Sequence, residues 1–333
     1  MPYLIDEESV SYGIRLLERS GLGEETCVPE VYHYMPVDQS LRASRDEAEL
    51  VIFSAIDDAF SRTSVEPAEI GVLIVNCSVF APTPVLDDMV VNRYKLRPDV
   101  QSVNLSGMGC SAALVSVGLA KNLLQVAPAG THVLFVATEI LSSHFYAGMG
   151  AAAIILSNSP ERARFKLGRV VRTVHSAKRR LPPPRPATFG AAPGRALLDQ
   201  AEAAARARKG GGALPPRFPH GVRAICIHAG WRAVVNEVQR GLGLSDEDVD
   251  ASRMTLHRFG NTSSSLVLYE LAYIEAKGRM KRGDRVWMIS FGDGFDCNSV
   301  AWECLRPAAD ADGPWVDCNH RYPVKIPEIV KGI

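Results

Sequence analysis

A chain of 333 residues, 47% hydrophobic and 22% charged, has the make-up of a folded protein with a large core. Lys+Arg and Asp+Glu both number 37, so charge gives no reason to expect a nucleic-acid partner. The seven scattered cysteines include no Cys-x-x-Cys pair, which argues against a disulfide framework or a zinc ribbon, and no apolar run reaches the ~20 residues of a membrane span.

The opening "MPYLIDEESV" carries acids where a secretory leader would be basic, so the thiols are expected to stay reduced in a cytosol-facing protein. The sequons at Asn76 and Asn261 are then read as chance. Helical spacing runs over 44–62, followed by an apolar strand at 71–77 and helical spacing again at 82–94. "VNLSGMGC" reads as a strand and a glycine turn leading into a helix at 111–125. Apolar strands follow at 131–139, 151–157 and 168–175. "GMGAAA" (148–153) matches a loose GxGxxA but enters a strand rather than a helix, so no dinucleotide site is expected there. Beyond residue 222 come strands at 223–229, 284–291 and 298–305 and helical spacing at 231–241 and 264–279. Near-continuous apolar strands between helices indicate an α/β protein whose sheets are covered on both faces.

The stretch from Ser176 to Arg217 is rich in Pro, Ala, Arg and Gly, with nine basic residues against two acids. It reads as a linker, with the alternative of a basic arm for CoA phosphates or an anionic membrane surface. It separates residues 1–175 from 222–333, and the two halves repeat an order of elements. "VNLSGMGC" precedes the helix "SAALVSVGLAKNLL", and "MTLHRFGN" precedes "TSSSLVLYELAYIEAKG". A duplicated unit would put Cys110 and Asn261 at equivalent helix starts, facing one cleft.

A cysteine where a glycine turn becomes a helix has its thiolate favoured by the free N–H groups and the dipole of the first turn. Gly107 and Gly109 permit that turn. Cys110 is thus a candidate nucleophile, set against the ordinary role of cysteine as a small buried side chain. His228 in "CIHAG" and Asn261 in "HRFGN", with His257 four residues before it, are candidate partners at strand and helix ends. Read singly, they are a core histidine and a helix cap. Gly292 and Gly294 in "SFGDGF" form a loop whose backbone N–H, with that of Cys110, would make an oxyanion hole. Cys226-x-His228 is too little for a zinc site.

The stretches "LLERSGLGEETCVPE", "NLSGMGCSAALVSVGLAKNLLQV", "CIHAGWRAV" and "SRMTLHRFGNTSSSLVLYELAYIEAKGRMKRGDRVWMISFG" resemble the plant 3-ketoacyl-CoA synthases, the condensing enzymes of very-long-chain fatty acid elongation. The resemblance spans most of 10–175 and 222–305. It implies a thiolase-like fold of two pseudo-duplicated halves in α/β/α/β/α layers, usually dimeric with itself or a related synthase. It implies that Cys110 takes an acyl group from a long-chain acyl-CoA as a thioester. His228 and Asn261 would hold the malonyl-CoA carbonyl through decarboxylation, His257 would support the site, and His175 would match a further family histidine. No cofactor or metal is implied beyond the two CoA substrates. The resemblance implies an endoplasmic-reticulum membrane location and contacts with membrane-associated elongase subunits; no apolar run here reads as a transmembrane segment, so a cytosolic or peripheral location is the alternative expectation.

The sequence departs from the family where Gly148 joins Met149 directly, where the linker replaces a longer region, and at Trp231, which stands at a family glycine near His228. These departures keep open a catalytically impaired homologue acting as a dimer partner. A related condensing enzyme such as a type III polyketide synthase is the other alternative.

Overall fold

The apolar strands expected from the sequence assemble into two four-stranded sheets. The computed structural model describes residues 7–34, 37–142, 148–174, 222–292, 296–308 and 313–327. The Pro/Ala/Arg-rich segment 176–221, His175 and Gly294 lie outside them.

In chain order the helices are α1 (Glu7–Ser20), α2 (Leu41–Thr63), α3 (Leu86–Tyr94), α4 (Ala112–Val126), α5 (Arg232–Leu242), α6 (Asp250–Phe259) and α7 (Leu266–Ala276). The strands are β1 (Ile70–Asn76), β2 (Gln101–Leu105), β3 (His132–Glu139), β4 (Gly150–Ser157), β5 (Phe165–Val174), β6 (Val222–Ile227), β7 (Arg285–Gly292) and β8 (Asp296–Cys304). The first sheet has the order β2-β1-β3-β4 and the second β5-β8-β7-β6. β1 and β3 run parallel with β4 antiparallel, and β6, β7 and β8 repeat that arrangement. This repeat is the duplication anticipated from the element order. By chain order β5 belongs to the first half, yet it pairs along β8 in the second sheet, so sheet membership changes before the linker.

Period-two burial sorts the side chains into layers. Val133, Phe135 and Ala137 of β3, with Val286 and Met288 of β7, point into a central cluster. There they meet Leu114 and Val117 of α4 and Val267 and Ile274 of α7. Leu134 and Val136 point the other way, onto α2 and α3. Trp287 and Ile289 point outward onto α5. The order is α2/α3, sheet, α4/α7, sheet, α5, the five-layered α/β/α/β/α arrangement. Strands covered on both faces must be apolar throughout, which is why they read as continuous runs. The same burial explains the one described stretch long and apolar enough to cross a membrane, Gly109–Val126: it is the central-layer α4 with its leading turn.

Two elements differ from expectation. α1 was not anticipated. "MTLHRF" is not the counterpart of the strand in "VNLSGMGC" but the end of α6, which stops at Gly260 (φ +71). Met254 packs into the central cluster and Leu256 into the outer one, and a helix between layers offers both faces.

Candidate active site

Cys110 occupies a 3-10 turn, Gly109–Ser111, that runs directly into α4. Gly107 (φ +69) and Gly109 (φ +62) adopt the left-handed conformation expected of them. The turn is held from three sides. Ser290 on β7 donates to the Cys110 carbonyl at 2.8 Å, and Ser78 donates to the Gly109 carbonyl at 3.4 Å. Gly292, at the end of β7, packs so closely that a Cβ there would lie 2.5 Å from Ser111 Oγ and 2.7 Å from the Met108 carbonyl. Gly292 therefore lets β7 support the Cys110 turn.

His228 follows β6, and its N–H donates to the Ile289 carbonyl at 2.9 Å. Consecutive residues of β7, Ile289 and Ser290, thus fix the backbones of His228 and Cys110. The imidazole is fully buried, and neither ring nitrogen has a hydrogen-bond partner among the described residues. Burial lowers its pKa from 6.5 to about 4, so it is neutral at physiological pH and presents one N–H donor. Glu270 of α7 lies behind this strand end, facing the N–H groups of Ile227 and Ala229 on either side of His228. Ser252 Oγ donates to its carboxyl at 2.7 Å, and burial pushes its pKa well up.

Asn261 is buried just past α6. Its Oδ1 accepts from Ser263 N–H at 2.8 Å and its Nδ2 donates to the Gly230 carbonyl at 3.3 Å. Those bonds tie the amide to the turn that follows His228. Gly148 (φ +136) lies against it, where a Cβ would sit 2.7 Å from the Asn261 carbonyl carbon and oxygen.

Sequence reasoning missed the groups that link these parts. Ser263, held at φ +56, places Oγ 3.5 Å from Cys110 Sγ and 3.0 Å from Glu139 Oε2. Glu139 closes β3 and is buried; its Oε1 accepts from the N–H groups of Ser78 (2.9 Å) and Val79 (2.8 Å) and from the Cys77 thiol (3.2 Å). Burial raises its pKa. Asn298 of β8 faces inward with its amide unpartnered among the described residues. A charged residue ending an apolar strand, and three serines after Asn261, were the available signals.

The family model described as FAE1/Type III polyketide synthase-like protein matches residues 2–181. That described as 3-oxoacyl-(acyl-carrier-protein) synthase III C terminal matches residues 219–304. 3-Ketoacyl-CoA synthase 6 of Arabidopsis thaliana is 46% identical over 375 residues, covering 97% of this chain and 75% of its own. 3-Ketoacyl-CoA synthase 5 of the same plant is 45% identical, over 97% and 76%. The chain belongs to the 3-ketoacyl-CoA synthase family. The aligned length exceeds the 333 residues of this chain, so these family members carry stretches that it lacks. Among solved structures, CsyB complexed with CoA-SH superposes with a TM-score of 0.73 at 18% identity, over 90% of this chain and 92% of that one. The bacterial type III polyketide synthase 1,3,6,8-tetrahydroxynaphthalene synthase, from Streptomyces coelicolor A3(2), gives 0.70 at 18% identity over 92% of each. At that identity the likeness concerns the fold, which is thiolase-like.

Two residues singled out from the family resemblance sit differently from the rest. His257 lies in the last turn of α6, where its Nδ1 is 3.1 Å from Tyr322 Oη and its carbonyl accepts from Gly23 N–H at 2.8 Å. Its described contacts join it to these segments rather than to Cys110. Burial lowers its pKa, partly offset by Glu25. Trp231 caps α5 in extended backbone, and its side chain packs against the outer apolar layer of the second sheet. The His228 backbone keeps its bond to β7 beside it.

Proposed function

We infer that this 3-ketoacyl-CoA synthase family member condenses a long-chain acyl-CoA with malonyl-CoA to give a 3-ketoacyl-CoA two carbons longer. The observation that carries the reading is the pairing of a glycine-turn cysteine with a buried, neutral and unpartnered histidine, both anchored to adjacent residues of β7. Cys110 sulfur attacks the acyl-CoA carbonyl, and CoA leaves with the electron pair and a proton. Malonyl-CoA then loses CO2, and the electrons of the broken C–C bond pass into an enolate. A neutral imidazole N–H and an amide N–H suit an enolate oxygen, because they stabilise the charge that develops without neutralising it beforehand. The enolate carbon attacks the Cys110 thioester and expels the Cys110 thiolate, which takes up a proton from solvent to restore the thiol.

The neutral state of His228 supports this role, and the bonds of Asn261 to Ser263 and Gly230 support a fixed amide beside it. His257 acts from outside this pair, bracing α6. The reaction needs no cofactor beyond its two substrates. On family resemblance, the reaction is assigned to the endoplasmic reticulum membrane, with a cytosolic or peripheral location as the alternative, in a dimer with itself or a related synthase. A type III polyketide synthase activity has weaker support, from the likeness of fold and from a family model that covers both groups.

Incubation with a long-chain acyl-CoA, followed by intact mass and peptide mapping, tests the first half-reaction. An acyl adduct on Cys110, absent in Cys110→Ala, is expected, and malonyl-CoA should then release a 3-ketoacyl product. A folded protein left unmodified across a range of chain lengths refutes the reading.

A further inference from the structure

Ser263 Oγ has one proton and two neighbours that want it. Glu139 Oε2 is 3.0 Å away and Cys110 Sγ 3.5 Å. The Glu139 carboxylate can only accept, so it takes the hydroxyl proton. The hydroxyl oxygen is then left as an acceptor facing the sulfur, and the thiol is the donor of that second contact. This direction is built into the fold. Ser263 is one of three described non-glycine residues with positive φ, a conformation that an L residue keeps only when its surroundings impose it. Glu139 is pinned by two backbone N–H groups and the Cys77 thiol on its other oxygen.

We propose that Glu139 is a positioning residue that receives the Cys110 thiol proton through Ser263 when the cysteine is acylated. As sulfur forms its bond to the acyl carbon, the thiol proton moves to Ser263 Oγ and the Ser263 proton moves to Glu139 Oε2. The bond from the acyl carbon to CoA sulfur breaks, and the CoA thiolate takes its electron pair. The proton then returns from Glu139 to that thiolate, so that an acyl thioester and free CoA result. His228 is left neutral for the condensation half of the cycle. The raised pKa of Glu139 makes it a stronger base than a solvated carboxylate. The titratable groups described at this carboxyl are Cys77, at 3.2 Å with its own pKa pushed well up by burial, and Cys110 across Ser263.

The inference rests on the assignment of Cys110 as the acylated residue, but its test needs no acyl-CoA. Cys110 alkylation by iodoacetamide, mapped by peptide and followed against pH, reads the relay directly. A thiol sharing its proton with an internal base reacts at a rate independent of pH between the two titrations. The wild-type protein should show that plateau. Glu139→Gln keeps an acceptor for Ser78 and Val79, and Ser263→Gly tolerates the positive φ, so both variants should fold. Each should lose the plateau, react about 10²-fold more slowly at neutral pH, and rejoin the wild-type rate at alkaline pH. A merely structural defect would not be repaired by alkali. A plateau retained in either variant overturns the relay, as does faster alkylation of Glu139→Gln at neutral pH. The second result would mean that the carboxylate only opposes the thiolate. A protein that fails to condense malonyl-CoA yet shows the plateau would refute the proposed activity and leave the relay standing.

Discussion

Acidification should destabilise this protein through His228. The unfolded chain protonates the imidazole below its ordinary pKa of 6.5, whereas the folded chain holds it neutral down to about 4. Between those values the unfolded state binds the extra proton, so stability falls as pH falls. The full difference corresponds to about 3 kcal/mol, of which about 2 kcal/mol is lost between pH 7 and pH 5. Glu270 acts oppositely. Burial raises its folded pKa, so it favours the folded state toward acid pH and loses that contribution as pH rises through the raised value. The two must be separated by difference. Urea unfolding of the wild-type protein and of His228→Gln at both pH values, at one protein concentration, isolates the histidine. Whatever the substitution costs at pH 7, the gap between the two proteins should shrink by about 2 kcal/mol at pH 5. Parallel pH dependences would refute a neutral buried imidazole, and with it the neutral donor assigned to the enolate.

Three further perturbations follow. Glu270→Gln replaces an acid whose protonated form is favoured by burial with a neutral group of the same shape. It should remove the decline in stability that this carboxyl adds as pH rises from the ordinary carboxylate range through the raised value, measured by the same unfolding series. Gly148→Ala would put a methyl 2.7 Å from the Asn261 backbone at a φ of +136°, costing about 1–3 kcal/mol in thermal unfolding. The acyl adduct on Cys110 should still form while the yield of 3-ketoacyl product drops. Ser290→Ala removes the donor to the Cys110 carbonyl. It should cost about 1 kcal/mol and slow Cys110 acylation, read by intact mass against time.

The layers and the Cys110 turn were legible because burial and positive φ leave marks in a sequence. β3 and β7 carry near-continuous apolar runs since both faces are covered, and Gly107 and Gly109 stand where only glycine is at ease. α6 was not legible: its buried residues serve two clusters on different faces, which blurs a single apolar stripe. Ser263 was hidden because nothing in a serine announces a left-handed backbone. Glu139 and Glu270 were hidden because a lone acid in an apolar stretch acquires meaning only through partners far away in the chain, at Ser263 and Ser252.

The duplication explains why the site has its present asymmetry. The 3-10 turns Gly109–Ser111 and Ser263–Ser265 lead into α4 and α7, and each opens on a positive φ, at Gly109 and Ser263. The counterpart of Cys110 is therefore Ser264, not Asn261, which aligns with Gly107. Strand register extends the match. Asn76 stands opposite Ala137 on β3, as His228 stands beyond the Ile227–Ile289 pair on β7, so Asn76 and His228 are counterparts. In the first half's strand, Asn76 Oδ1 accepts from Ser264 Oγ at 2.6 Å, a buried and satisfied pair. Carried across the pseudo-two-fold relation, that contact sets His228 beside Cys110. One copy of the arrangement is a hydrogen-bonded brace between the halves, and the other keeps a thiol and an imidazole whose nitrogens have no partner among the described residues. The same relation aligns Glu139 with Gly292 and Ser263 with Gly109. At one turn, two glycines let strand and backbone close together under Cys110. At the other, two side chains fill that space and point their bond at its sulfur.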